Sequence, residues 1–113
     1  MTGPVIDFRT YRLVPGGRDE FDRIFREEVR PMLESRGIEV VGHGPSLTDE
    51  RHYFLARGFP SEAERERQLT SFYGSDEWRD RYDERVMALV ESFHHLVIPS
   101  VPLRSQWQAD ADG

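Results

Sequence analysis

An α+β domain in the order strand–helix–strand–strand–helix–strand is what this sequence predicts, on three observations. Its first residues alternate with a period of two, two stretches carry apolar side chains at helical spacing, and a polar loop joins two more alternating segments into a hairpin. At 113 residues, with no shift of composition along it, the chain has the length of one domain, expected over residues 1–104 with a polar tail at 105–113.

Val5 to Leu13 alternate, with Ile6, Phe8 and Thr10 on one face and Asp7, Arg9 and Tyr11 on the other, which is a strand. Pro15, Gly16 and Gly17 break it. From Arg18 onward Phe21, Ile24, Phe25, Val29, Met32 and Leu33 fall on one helical stripe, opposite Arg23, Arg26, Glu27, Arg30 and Glu34. Pro31 cannot donate to the carbonyl of Glu27, so a kink is expected there, and Gly37 suits the position just past the helix end. Strands over 38–43 and 52–57 flank the polar loop 44–51. Ser61 with Glu64 reads as a capping box opening the second helical region. Gly74 interrupts that region and Ser75 restarts it, with Trp78, Tyr82, Val86, Leu89, Val90 and Phe93 as the expected buried side. A last strand is expected over 94–99.

This order is the ferredoxin-like arrangement, in which both helices cover one face of a four-stranded antiparallel sheet. The other face is left bare. It is expected to carry Tyr11, Val41, Tyr53, Leu55 and an apolar residue of the last strand, more apolar surface than a monomer usually shows to water. A second copy packed sheet to sheet would cover it and close a barrel, so a homodimer is expected.

Composition excludes several classes. There is no cysteine, hence no disulfide, thiolate catalyst or cysteine-rich metal site. The 15 basic residues, all arginine, are outnumbered by 21 acidic ones, giving a net charge of −6, which argues against nucleic-acid and anionic-membrane surfaces. No apolar run is long enough to span a bilayer and the first residues do not resemble a secretion leader, so a cytoplasmic location is expected. Arginine without lysine reads either as bidentate anion recognition or as a coding bias filling solvated helix faces.

Several fragments carry a resemblance. The run Asp7-Phe8-Arg9-Thr10-Tyr11-Arg12-Leu13 followed by Pro15-Gly16, then Val29-Arg30-Pro31, then Glu64 to Arg67 leading into Phe72-Tyr73-Gly74-Ser75-Asp76-Glu77-Trp78, resembles the NIPSNAP family, over about residues 5–99. The resemblance implies a dimeric α/β barrel, a superfamily that includes cofactor-free quinone-forming monooxygenases, heme-handling enzymes and small isomerases or cyclases. Asp7 stands where the family's first strand usually has a glutamate.

On the strand phases above, a cavity on the face away from the helices should hold Asp7, Arg9, Tyr11, His43, Tyr53, Arg57 and one histidine of the last strand. Arg9 beside strand carboxylates suggests a clamp for a ligand carboxylate or enolate, or else an internal pair with Asp7 or Glu39. Tyr11 and Tyr53 either orient a phenolic or quinoid ring or simply pack. Of the histidines His43, His52, His94 and His95, none forms a metal spacing, and His94 and His95 point to opposite faces. Similarity to family sequences favours His94 for the cavity, with His95 toward the helices. No glycine loop for phosphate and no nucleophile elbow is present, and no cofactor is expected. The expected function is a cofactor-independent enzyme of the oxygenase, isomerase or cyclase type acting on a small aromatic or polyketide-like metabolite, with His94 or His43 moving a proton and Arg9 holding negative charge. The alternative is a non-catalytic scaffold whose barrel is filled. A cavity of about 300 Å³ or more with convergent polar groups separates the two.

Overall fold

The structure, a computed structural model, describes residues 3–100; the expected domain end at 104 and the tail at 105–113 lie outside them. Four strands, β1 Val5–Leu13, β2 Glu39–Pro45, β3 His52–Phe59 and β4 Val90–Pro99, form one sheet in the order β2-β3-β1-β4 with every neighbour antiparallel. The helical segments between β1 and β2, and between β3 and β4, pack on one face. This is the ferredoxin-like α+β architecture that the element order predicts.

The first helical run is α1 Arg18–Ile24, a π-helical stretch Phe25–Val29 and α2 Arg30–Ser35. Its six predicted stripe residues, Phe21 to Leu33, are all buried. The disturbance expected from Pro31 takes the form of the π turn: the Arg30 N–H reaches back five residues to the Phe25 carbonyl. Widening the turn ahead of a proline relieves its ring from the preceding carbonyls, and so places the irregularity. The run ends in a Schellman motif, with Gly37 at φ 77° and the amides of Gly37 and Ile38 on the carbonyls of Glu34 and Leu33.

The second run comprises α3 Glu62–Tyr73, a π-helical stretch Trp78–Tyr82 and α4 Asp83–Met87. The Ser61 hydroxyl accepts from the Glu64 amide at 3.1 Å, while the Glu64 carboxylate pairs with Arg67, so half of the capping box forms. Ser75 caps the restart, its hydroxyl accepting from the Trp78 amide at 3.2 Å.

One boundary and one phase differ from expectation. β4 begins at Val90, because the strand pairs with β1 along almost its whole length, from Val5 opposite Pro99 to Leu13 opposite Val90. Val90 and Phe93 therefore belong to the sheet, and Phe93 is 42% exposed instead of lying under a helix. The larger difference concerns which face is bare. Tyr11, Tyr53 and Leu55 lie beneath the helices, with the Phe21 ring 5.2 Å from Tyr11 and 4.9 Å from Tyr53. On the uncovered face are Phe8, Val41, Phe54 and Leu96, of which Leu96 is 62% exposed. Alternation divides a strand into two sets but does not say which set meets the helices, and here the charged set of β1 is the inner one.

Candidate functional site

Three arginines converge on one carboxylate inside the sheet–helix interface. Asp7 on β1 and Arg57 on β3 are paired residues of the ladder, both wholly buried. Asp7 Oδ1 lies 3.4 Å from Arg57 Nη2 and 3.9 Å from Arg9 Nε, and its Oδ2 accepts from Arg65 Nη1 of α3 at 3.0 Å. Arg65 also donates from Nε and Nη2 to the two carboxylate oxygens of Glu62, at 3.0 Å each. Two carboxylates thus face three guanidiniums, which leaves the cluster one positive charge in excess. A charged residue is tolerated on the core face because its neighbours neutralise it.

Above this cluster the sheet edge opens. Arg9 and Tyr11 of β1 and Phe93 of β4 form the floor of a cleft of about 360 Å³; Tyr73 of α3, Trp78 of the π turn, and Asp83, Val86 and Met87 of α4 form its wall. The Arg9 guanidinium lies 5.3 Å from the ring centres of both Tyr73 and Phe93, in cation–π range of each. Its buried Nε has no hydrogen-bond partner, nor has that of Arg57. Arg57 Nη1 donates to the Tyr73 hydroxyl at 3.0 Å, which leaves the Tyr73 proton free to donate elsewhere. Burial, with Tyr73 beside it, pushes the Tyr11 phenol up to about 12, so Tyr11 keeps its proton at neutral pH. Burial by itself would lower the Arg57 pKa, but the oxygens of Tyr73, Tyr11 and Asp7 outweigh it and the net direction is upward. A second, enclosed space of about 20 Å³ lies below Tyr11 among Phe21, Phe25, Leu55 and Phe72, room for about one water.

The expected site residues separate into three places. Arg9 and Tyr11 line the cleft, with Asp7 and Arg57 directly beneath. His43 and Tyr53 share their face but form a different group toward α1: Tyr53 Oη donates to Asp22 Oδ1 at 2.6 Å, so His43, at 2.7 Å, must carry its proton on Nδ1 to donate to Tyr53. Burial, and then Arg30, holds the His43 pKa below its ordinary value, while burial and the bond to Asp22 raise that of Tyr53. His94 is the clearest correction. It pairs with Thr10 and so lies on the face opposite Arg9, whereas His95 is the residue opposite Arg9. The cavity is accordingly corrected from the bare face to the space between sheet and helices. Of the two internal pairs considered for Arg9, the one with Asp7 forms at 3.9 Å, and Glu39 lies on the other face, opposite Gly58.

Sequence reasoning missed Arg65, Tyr73 and Asp83, and treated Trp78 and Phe93 only as core. Among the described residues no group of three His, Asp or Glu side chains is placed to hold a metal ion, and no helix is long and apolar enough to cross a membrane.

Comparison with known proteins agrees with the fold. A crystal structure of a NIPSNAP family protein from Agrobacterium tumefaciens superposes with a TM-score of 0.77 at 17% identity, covering 89% of each chain. An uncharacterised NIPSNAP-like domain protein from Burkholderia xenovorans gives 0.79 at 16%, again over 89% of each. A candidate antibiotic biosynthesis monooxygenase from Caulobacter crescentus gives 0.69 at 17%, over 88% of this chain and 92% of that one. At such identities the likeness concerns the fold alone. A search of curated proteins finds no match to the chain. The NIPSNAP family model, by contrast, matches residues 6–103, almost the whole chain, and the protein belongs to the NIPSNAP family.

Proposed function

We propose that the cleft over Arg9 binds a small organic anion with a planar, aromatic or enolic body, and that the protein acts on it without a cofactor, as an oxygenase, isomerase or cyclase of small aromatic or polyketide-like metabolites. The observation that carries this reading is the state of Arg9. Its guanidinium is sandwiched between two rings, has a buried Nε without a partner, and shares its nearest carboxylate with two other arginines. A ligand oxyanion would complete it, in a cleft that Tyr11 lines from the floor and Tyr73 from the wall. The cleft volume of about 360 Å³ falls in the range of small-molecule sites.

Titration calorimetry with benzoate, salicylate and phenylpyruvate tests this. Wild type is expected to bind at least one of them, and Arg9→Ala to weaken that binding about tenfold or more, near 1.4 kcal/mol. The variant should remain folded, because Asp7 keeps Arg57 and Arg65. Equal binding by both proteins would end the clamp. So would a large loss of stability in Arg9→Ala that Asp7→Asn rescues.

The same reading includes a homodimer formed through the bare sheet face. Phe8, Val41, Phe54 and Leu96 make an apolar patch without cover among the described residues, and a two-fold axis sets such a patch against itself. Leu96→Asp should shift the mass measured by light scattering from about twice the chain mass toward 13.2 kDa. Wild type already at the chain mass at micromolar concentration would refute the dimer.

A further inference from the structure

Asp83 lines the cleft through a helical irregularity. In a regular α-helix residues five apart point about 140° away from each other and their side chains do not meet. In the wider turn of a π-helix they come to nearly the same side. The stretch Trp78–Tyr82 is such a turn: the Asp83 N–H bonds to the Trp78 carbonyl, and the Trp78 indole N–H donates to Asp83 Oδ1 at 3.2 Å. Both side chains line the cleft whose floor carries Arg9. Asp83 is the one carboxylate among the residues that line the cleft, and the indole of Trp78 is its side-chain hydrogen-bond partner there. One carboxylate oxygen is thus oriented by the indole, which leaves the other facing the cleft to act as a base. Neither His43 nor His94 lines this cleft.

We propose that Asp83 is the general base of the cleft, and that its substrate class is the 2-oxo or 3-oxo acid bearing an aromatic ring. The inference rests on the reading of Arg9 as an anion clamp. Asp83 takes the proton from the carbon next to the carbonyl; that C–H bond breaks and its electron pair forms the C=C bond of an enolate. The carbonyl oxygen becomes the oxyanion, held by Arg9. Return of the proton from Asp83 to carbon or to oxygen completes a tautomerisation, with no oxidant or reductant required. The aromatic ring lies against Tyr73, Trp78 and Phe93. The indole of Trp78 acts as a positioning group for the base.

The experiment is deuterium exchange at the acidic carbon of phenylpyruvate and benzoylacetate, followed by proton NMR in heavy water, beside calorimetric binding of the same two probes. Wild type is expected to bind them and to accelerate exchange. Asp83→Asn, which keeps an oxygen for the indole N–H, should bind within about threefold of wild type and lose about 100-fold or more of the exchange rate. Asp83→Ala should show the same loss, and Glu84→Gln, one residue away and outside the cleft lining, should match wild type. Exchange undiminished in Asp83→Asn, or wild type that binds both probes and exchanges neither, overturns the base and leaves the anion clamp standing. Wild type that binds neither probe overturns the clamp, and this inference with it.

Discussion

Asp7→Ala should be among the most destabilising single substitutions in this protein, at about 3–5 kcal/mol, because it strands a wholly buried guanidinium. Arg57 has no exposed surface, and among the described residues Asp7 is the one carboxylate within ion-pair distance of it. The Tyr73 hydroxyl accepts one of its N–H groups but supplies no charge to offset it. Asp7→Asn should be nearly as harmful, since shape is kept while the charge is lost. Adding Arg57→Met to Asp7→Ala should recover part of the stability, as the buried charge leaves with its partner. Urea unfolding at unchanged slope measures all three. A loss below about 1 kcal/mol for Asp7→Ala would mean that Arg57 is neutralised by something other than Asp7. Arg9→Ala should be much milder, because Asp7 still faces Arg57 and Arg65. The two ends of one ion cluster thus have different duties: the carboxylate supports the fold, and the outer arginine is left for a ligand.

Phe25→Ala is expected to destabilise by a similar amount, about 3–5 kcal/mol, through loss of packing instead of charge. Phe25 opens the first π turn and is 5% exposed, with its ring 4.7 Å from that of His43 and 6.4 Å from that of Tyr53. It also borders the enclosed space of about 20 Å³, so truncation would enlarge an existing void that a Pro31-constrained helix is poorly able to close by moving inward. Thermal and urea unfolding should agree on the loss, and a change below about 1 kcal/mol would show that the helix can shift to fill the gap. Phe54→Ala is the useful contrast. Phe54 is 39% exposed on the uncovered face, so its removal should barely change the stability of an isolated chain and should act on association.

The element order, the family and the grouping of residues on each strand face were legible in the sequence. Alternation along β1 grouped Asp7, Arg9 and Tyr11 correctly, the helical stripe from Phe21 to Leu33 was buried as a unit, and Gly37 capped its helix, because periods of two and 3.6 and the need for a positive φ are local properties. The polarity of the sheet was not legible. Asp7 and Arg9 were expected on the face away from the helices; they lie beneath them because Arg57 and Arg65, 50 and 58 residues further along, supply the compensating charges once β3 and α3 are in place. The reversal brought in Tyr73, Trp78 and Asp83, while the register of β4 against β1, which sets His94 opposite Thr10, moved His94 out of the site. The meeting of Trp78 with Asp83 depends on a π turn that no helical periodicity announces. Local sequence determined which residues travel together on each element; tertiary pairing decided which face is inside, because charge compensation and helix irregularity are set by neighbours distant in the chain.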